Sequence, residues 1–349
     1  MLRDITIENY RLFEKFQIEG LTQVNLLVGA NNSGKSSLLE AIYLLVNHED
    51  RTALSNIIDN RFVLKSRLRR DREDESSNIF PVSTLFRGYK PRKDYHITLS
   101  SQKDQQMSLK FNFIESKPKR NDRGVGVSLQ FTSGERKFDN SFDLDELFVP
   151  WYREKYQVEK PKVNKHLVTA DRLDQQSITN LWEQIILTSK EDTVLEILRT
   201  LEPNLERIAL INQTTPGMSV LIKIKDNEVP IPLGSMGDGM YRIFALALSL
   251  VNCENGALFV DEIDTGLHYK ALIKMWRLVI ETAKRLNVQV FVTTHSWDCL
   301  TAFHQALTET SATDLGSVFR LERKDDQIKY VSYSGDKLAV AIDHDIEVR

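Results

Sequence analysis

The sequence predicts an α/β fold with a mostly parallel core sheet, an antiparallel β subdomain and a helical insertion. Three observations predict it. First, Gly29-Ala30-Asn31-Asn32-Ser33-Gly34-Lys35-Ser36 fits G-x-x-x-x-G-K-[ST] and lies between an apolar strand-like run and a helical pattern. Second, Ala257–Val260, the stretch 268–286 and the stretch 288–293 read strand, helix, strand, which is a βαβ unit and implies parallel pairing. Third, the polar middle carries short alternating runs at 95–99, 107–113 and 126–131, the pattern of half-buried antiparallel strands joined by long loops.

Taken in order, 2–7 and 13–18 alternate apolar and polar residues and predict a hairpin. Val24–Val28 is apolar apart from Asn25, as suits a strand buried on both faces. Residues 37–46 then read as a helix. The stretch 172–209 reads as helical, with Leu181, Ile185 and Ile186, then Val194, Ile197 and Leu198 at helical spacing, and Pro203 as the breaker. Residues 219–224 predict a strand and 239–250 a helix. After the βαβ unit, 317–333 suggests a closing hairpin. The expected division is one head in four parts: 1–48 with the phosphate loop, 49–165 as a β-rich insertion, 166–215 as a helical region, and 216–349 with the remaining motifs.

Composition narrows the function classes. The chain has 349 residues, 41% hydrophobic and 27% charged, as in ordinary globular proteins. A formal net charge of −3 does not announce a nucleic-acid binder, although a local patch still could. Cys253 and Cys299 lie far apart in no metal-ligand spacing, which suggests a reducing compartment. No run of about 18 apolar residues reads as a membrane span. The start passes directly into strand pattern and does not read as a signal peptide. A cytoplasmic protein without a membrane partner is expected.

The motifs carry phosphate chemistry. Backbone N–H groups of a loop from Gly29 through Asn31, Asn32, Ser33 and Gly34 to Ser36 and Ser37, at a helix start, can cradle nucleotide phosphates. Lys35 would reach the β- and γ-phosphates, and the Ser36 hydroxyl would ligate Mg²⁺. Asp261 closes an apolar strand, where its carboxylate could hold the same Mg²⁺ opposite Ser36. Glu262 follows and is the candidate base for the attacking water. ATP and Mg²⁺ are the expected ligand and ion.

Further motifs stand in a recognisable order. The segment 232–239, with Gly234, Ser235, Gly237 and Gly239, precedes a helix roughly 25 residues before Asp261. His295 follows a strand, where α/β proteins bind ligands. Together with the phosphate loop and Asp261-Glu262, this order resembles ABC-type ATPases. The resemblance implies that Ser235 and Gly237 contact the γ-phosphate bound by a neighbouring subunit. It also implies that His295 senses that phosphate and that Asp264 belongs to the loop joining two heads. The signature is not that of transporter heads. The 262–268 segment, Glu-Ile-Asp-Thr-Gly-Leu-His, and the opening 7–13 segment, Ile-Glu-Asn-Tyr-Arg-Leu-Phe, are similar to RecF, SMC-like and OLD (overcoming lysogenization defect) ATPases, and most to stand-alone OLD-like ones. Arg11 resembles an arginine that lies near the phosphates in SMC-like heads.

The resemblance implies a head-to-head dimer, or a higher oligomer, around ATP, and a role in bacterial defence against phage or plasmid DNA. Full-length OLD proteins add a Toprim nuclease. Here roughly 50 residues follow His295, and although Asp343 and Asp345 are present a separate effector, a Toprim-type nuclease or a toxin, is expected. A RecF- or SMC-like repair ATPase and an ATP-driven regulator holding an effector are the alternatives. DNA is a possible partner through two basic clusters. One holds Arg61, Lys65, Arg67, Arg69, Arg70 and Arg72; the other holds Lys117, Lys119, Arg120 and Arg123. Acidic neighbours at 71 and 73–75 make a solvated loop the competing reading. The glutamine of the Q-loop is not placed; Gln102, Gln105 and Gln106 are the candidates.

Overall fold

The structure is a computed structural model that describes residues 1–48, 50, 52–61, 84–89, 96–103, 108–116, 126–133, 136–143, 164–169, 173, 175–212 and 218–343. The chain opens with β1 (Asp4–Tyr10) and β2 (Phe13–Glu19), the expected hairpin, with Asp4 opposite Glu19 and Tyr10 opposite Phe13. Next come β3 (Val24–Val28), α1 (Lys35–Val46) and α2 (Thr52–Arg61). Strands β4 (His96–Ser100), β5 (Ser108–Ser116), β6 (Gly126–Ser133) and β7 (Arg136–Asp143) extend the hairpin into a six-stranded antiparallel sheet of order β2-β1-β4-β5-β6-β7.

The chain then crosses to β8 (Lys165–Val168), α3 (Gln175–Glu183) and α4 (Ser189–Arg199). Strands β9 (Leu205–Asn212), β10 (Met218–Ile224) and β11 (Ile231–Pro232) form a small antiparallel sheet. The stretch expected to be helical from 172 to 209 is therefore two helices followed by the start of a strand. Helix α5 (Asp238–Asn252), β12 (Ala257–Val260), α6 (Tyr269–Leu286) and β13 (Gln289–Thr293) follow. The chain ends in α7 (Trp297–Glu309), the hairpin β14 (Gly316–Lys324) with β15 (Gln327–Ser334), and α8 (Gly335–Asp343).

The core sheet has the order β15-β14-β3-β13-β12-β8, with every neighbouring pair parallel except β14 with β15. The central strands β3, β13 and β12 are covered on both faces and are buried along their whole length. Leu26, Val28, Leu258 and Val260 point into a core shared with α3 to α7. Leu27, Phe259 and Phe291 point the other way, onto α1 and the β1–β2–β4 side chains Ile5, Ile7, Phe13 and Leu99. Helix α1 thus runs between two sheets, which is why nearly all its residues are buried. This clamps the loop before α1 at the carboxyl edge of the parallel sheet, where β3, β12 and β13 all end.

Candidate functional site

The 29–36 loop leaves β3 through Gly29 and enters α1 through Gly34, both at positive φ, +145° and +100°. A Cβ on Gly29 would overlap the Leu321 carbonyl oxygen and lie 2.8 Å from Ser33 Oγ, so only glycine fits where β14 presses on the loop. Gly34 supplies no side-chain cap, and the first turn of α1 carries no acidic residue. The positive end of the helix is left for an external anion. Ser33 Oγ is buried without a hydrogen-bond partner among the described residues. Asn31 and Asn32 are exposed. These features fit nucleotide phosphates.

Lys35 folds back over the loop, with Nζ donating to the carbonyls of Gly29 at 2.8 Å and Ala30 at 2.9 Å. Burial pushes its pKa below the ordinary lysine value, against the pull of Asp261 and Glu262.

Asp261 continues β12, its N–H donating to Val168 O at 2.9 Å. The Ser36 hydroxyl donates to Asp261 Oδ1 at 3.0 Å, and so does Thr293 Oγ1 at 2.5 Å. A hydroxyl and a carboxylate this close are hard oxygen donors of the kind Mg²⁺ takes beside phosphate oxygens. Among the described residues no group of three or more His, Cys, Asp or Glu could hold a metal unaided, so an ion here would rely on the nucleotide for ligands.

Glu262 sits at φ +50°, an uncommon conformation for a glutamate. Its peptide is held on both sides. Thr293 Oγ1 accepts its N–H at 2.8 Å, and Arg242 Nη2 donates to its carbonyl at 3.1 Å. The carboxylate stays partly exposed. One oxygen accepts from Thr265 Oγ1 at 3.4 Å, and the other lies 3.9 Å from His295 Nδ1, itself half exposed. Asp264 accepts Thr294 Oγ1 at 2.6 Å. Lys35, Ser36, Asp261, Glu262 and His295 thus share one edge of the sheet, together with Thr293 and Arg242.

Other expected residues fall elsewhere. Ser235 lies in a 3₁₀ turn, Leu233–Met236, two residues before the helix cap at Gly237 (φ +92°), so the free amides at the start of α5 begin after Gly237. Gly234, Ser235 and Gly237 are exposed. Arg11, at φ +49°, is buried and pairs with Glu40 of α1 at 2.9 Å, with Nε donating to Tyr10 Oη at 3.1 Å. This pairing sets it against the second turn of α1. Gln102 lies at the opposite end of β1 from Arg11: its N–H donates to Asp4 Oδ2 at 2.6 Å, and Asp4 begins the strand that Arg11 follows. Gln105 and Gln106, the basic residues 65–72, the 117–123 cluster and Asp345 lie outside the described residues, as do the side chains of Arg61 and Asp343.

Comparisons with known proteins bear on the family and the fold. Residues 24–298 match the family described as "AAA domain, putative AbiEii toxin, Type IV TA system". The chain is 23% identical over 373 residues to an ATP/GTP phosphatase of Helicobacter pylori, covering 97% of each. It is 25% identical over 287 residues to the DNA replication and repair protein RecF of Leptospira interrogans, covering 74% of this chain and 71% of that one. The fold is shared with an SMC head bound to the C-winged helix domain of ScpA (TM-score 0.51, 15% identity, 96% and 99% covered). It is also shared with an SMC head bound to the C-terminal domain of ScpA from Pyrococcus furiosus (TM-score 0.52, 13% identity, 99% of both covered). The matched stretch runs from the strand before the phosphate loop to the residues just after His295, and the chain belongs to this AAA-domain family of P-loop ATPases.

Proposed function

We propose that this chain binds MgATP on its 29–37 loop and hydrolyses it as a head-to-head dimer. We further propose that it is the OLD-like ATPase component of a bacterial defence system against phage or plasmid DNA, working in the cytoplasm with a separate effector, a nuclease or a toxin. One observation carries the catalytic part: the hydrogen-bonded series Ser36–Asp261–Thr293–Glu262, which sets a hydroxyl, a carboxylate and a second, partly exposed carboxylate beside an uncapped helix start.

In this reading Ser36 and Asp261 hold Mg²⁺, which when bound offsets charge on the β- and γ-phosphates. The loop amides and Lys35 fix the triphosphate. Glu262 takes the proton from the attacking water as its oxygen bonds to the γ-phosphorus, and the β-phosphate oxygen leaves toward Lys35. His295, beside Glu262, reads the presence of the γ-phosphate. Ser235, Gly237 and the amides after them, exposed on each head, contact the γ-phosphate held by a second copy, with Asp264 at the seam.

The Helicobacter relative's name supports hydrolysis. The family's description, which names a putative toxin of a type IV TA system, supports a setting linked to a toxin. The RecF relative favours a second reading, a DNA-binding repair ATPase without an effector.

Glu262→Gln tests the mechanism. It should keep MgATP binding, lose turnover and accumulate an ATP-held dimer in light scattering. Turnover at the wild-type rate would reject Glu262 as the base. The same variant, tagged and recovered from its host with MgATP, separates the settings. A nuclease or toxin in fixed ratio supports the defence role; the dimer alone, with turnover stimulated by DNA, supports the repair role.

A further inference from the structure

Arg242 lies on the second turn of α5, the helix that begins at the exposed Gly237 segment, and it is buried in a helix otherwise dominated by apolar residues. Burying a guanidinium costs free energy unless its donors are used. Here Nη1 donates to Thr169 O, just past β8, at 3.0 Å. Nη2 donates to the carbonyls of Asp261 at 3.3 Å and Glu262 at 3.1 Å. One side chain therefore ties the Gly237 helix to the ends of two core strands and holds the carbonyl of the residue with left-handed backbone. The two elements also meet directly: a Cβ on Gly239 would lie 3.5 Å from Gly266 O, in the loop after Glu262.

We propose that Arg242 is a positioning residue that couples the Gly237 segment to the Glu262 carboxylate. The inference rests on Glu262 being the base and on the Gly237 segment docking against a second copy. When that docking shifts α5, Arg242 carries the shift to the Glu262 peptide, while Thr293 holds the other side of the same residue. Glu262 then comes into line with the water only in the closed dimer. Arg242 acts through the backbone carbonyls of Thr169, Asp261 and Glu262, so its loss should lower kcat and leave nucleotide affinity alone.

The test compares Arg242→Gln, Arg242→Lys and Glu262→Gln, each alone, and Arg242→Gln with Glu262→Gln combined. Folding is checked by thermal unfolding, MgATP affinity by titration, and kcat across enzyme concentration. Arg242→Gln should bind MgATP within about twofold of wild type but turn over roughly a hundredfold more slowly, as a small misplacement of a reacting group predicts. Arg242→Lys, keeping charge and one donor, should recover part of that loss. The double variant should be no slower than Glu262→Gln, because both act on one step. Wild-type kcat in Arg242→Gln, with Glu262→Gln inactive, would overturn the coupling and leave the base intact. Wild-type kcat in Glu262→Gln would overturn the base itself. If Arg242→Gln does not fold, Arg242→Lys decides: unchanged kcat rejects the coupling, and lowered kcat at unchanged affinity supports it.

Discussion

The Ser36 hydroxyl and the Asp261 carboxylate stand 3.0 Å apart although 225 positions separate them in the chain. The parallel sheet makes this meeting, because β3 and β12 end at the same edge with only β13 between them. Ser36→Ala removes the hydroxyl and little else, since Asp261 keeps its bond from Thr293. ATP binding without Mg²⁺ should be nearly unchanged, and the gain in affinity on adding Mg²⁺ should be lost. Titrations with and without the ion check this; an undiminished gain would remove Ser36 from the ion's ligands.

Thr293 should matter as much as the carboxylates it serves. Its Oγ1 donates to Asp261 and accepts from the Glu262 N–H, so one hydroxyl orients both acids. Thr293→Val keeps the shape of the strand and loses both bonds. Turnover should fall about 10- to 100-fold, the usual cost of losing an outer partner of a metal-binding group. Thr293→Ser should retain most activity. Equal rates in both variants would mean that the hydroxyl is not used.

Some of this was legible in the sequence and some was not, for identifiable reasons. The phosphate loop and the Asp261-Glu262 pair announce themselves because their residue types are dictated by local backbone needs and by charge at a strand end. Thr293 is silent because a threonine in a strand is common; only the register of β13 against the Glu262 turn gives it a role. Arg242 left a signal, a lone cation in an apolar helix, which buried-charge reasoning can use. The misread strand β9 has a physical cause. Its pairing with β10 shifts register between Lys223 and Ile224, and Glu206 is the residue left out. That bulge puts Leu205 and Ile208, three positions apart, on the same buried side, and mimics a helical period. Strand β8 has four residues, too few for periodicity to declare it.

Strand β8 also carries an acid-sensitive group. The Nε2 of His166 is buried with no partner among the described residues, and burial pushes the pKa down to about 4. The unfolded chain, with the ordinary value of 6.5, binds the proton more readily. Stability from this residue is therefore full above pH 6.5 and is lost as pH falls toward 4, by about 1.4 kcal/mol per unit. His166→Leu should flatten the decline in urea midpoint between pH 6.5 and 5, above the range of ordinary carboxylates. An unchanged slope in the variant would assign the decline to other groups.

Lys35 yields a signature of nucleotide binding that needs no mutation. Its amine is held on the Gly29 and Ala30 carbonyls, and burial lowers its pKa from the ordinary 10.5. A triphosphate brought against it adds negative charge, which favours the protonated form and raises the pKa again. In the alkaline range between the lowered and the raised values, the free protein is partly deprotonated and the complex is not. Binding there must take up protons. Calorimetric titrations in two buffers of different ionisation enthalpy measure the number taken up at each pH. Uptake that grows as pH rises toward the lysine range is the expected result. Constant or zero uptake across that range would mean that Lys35 does not approach the phosphates, and that the loop holds them by its backbone amides alone.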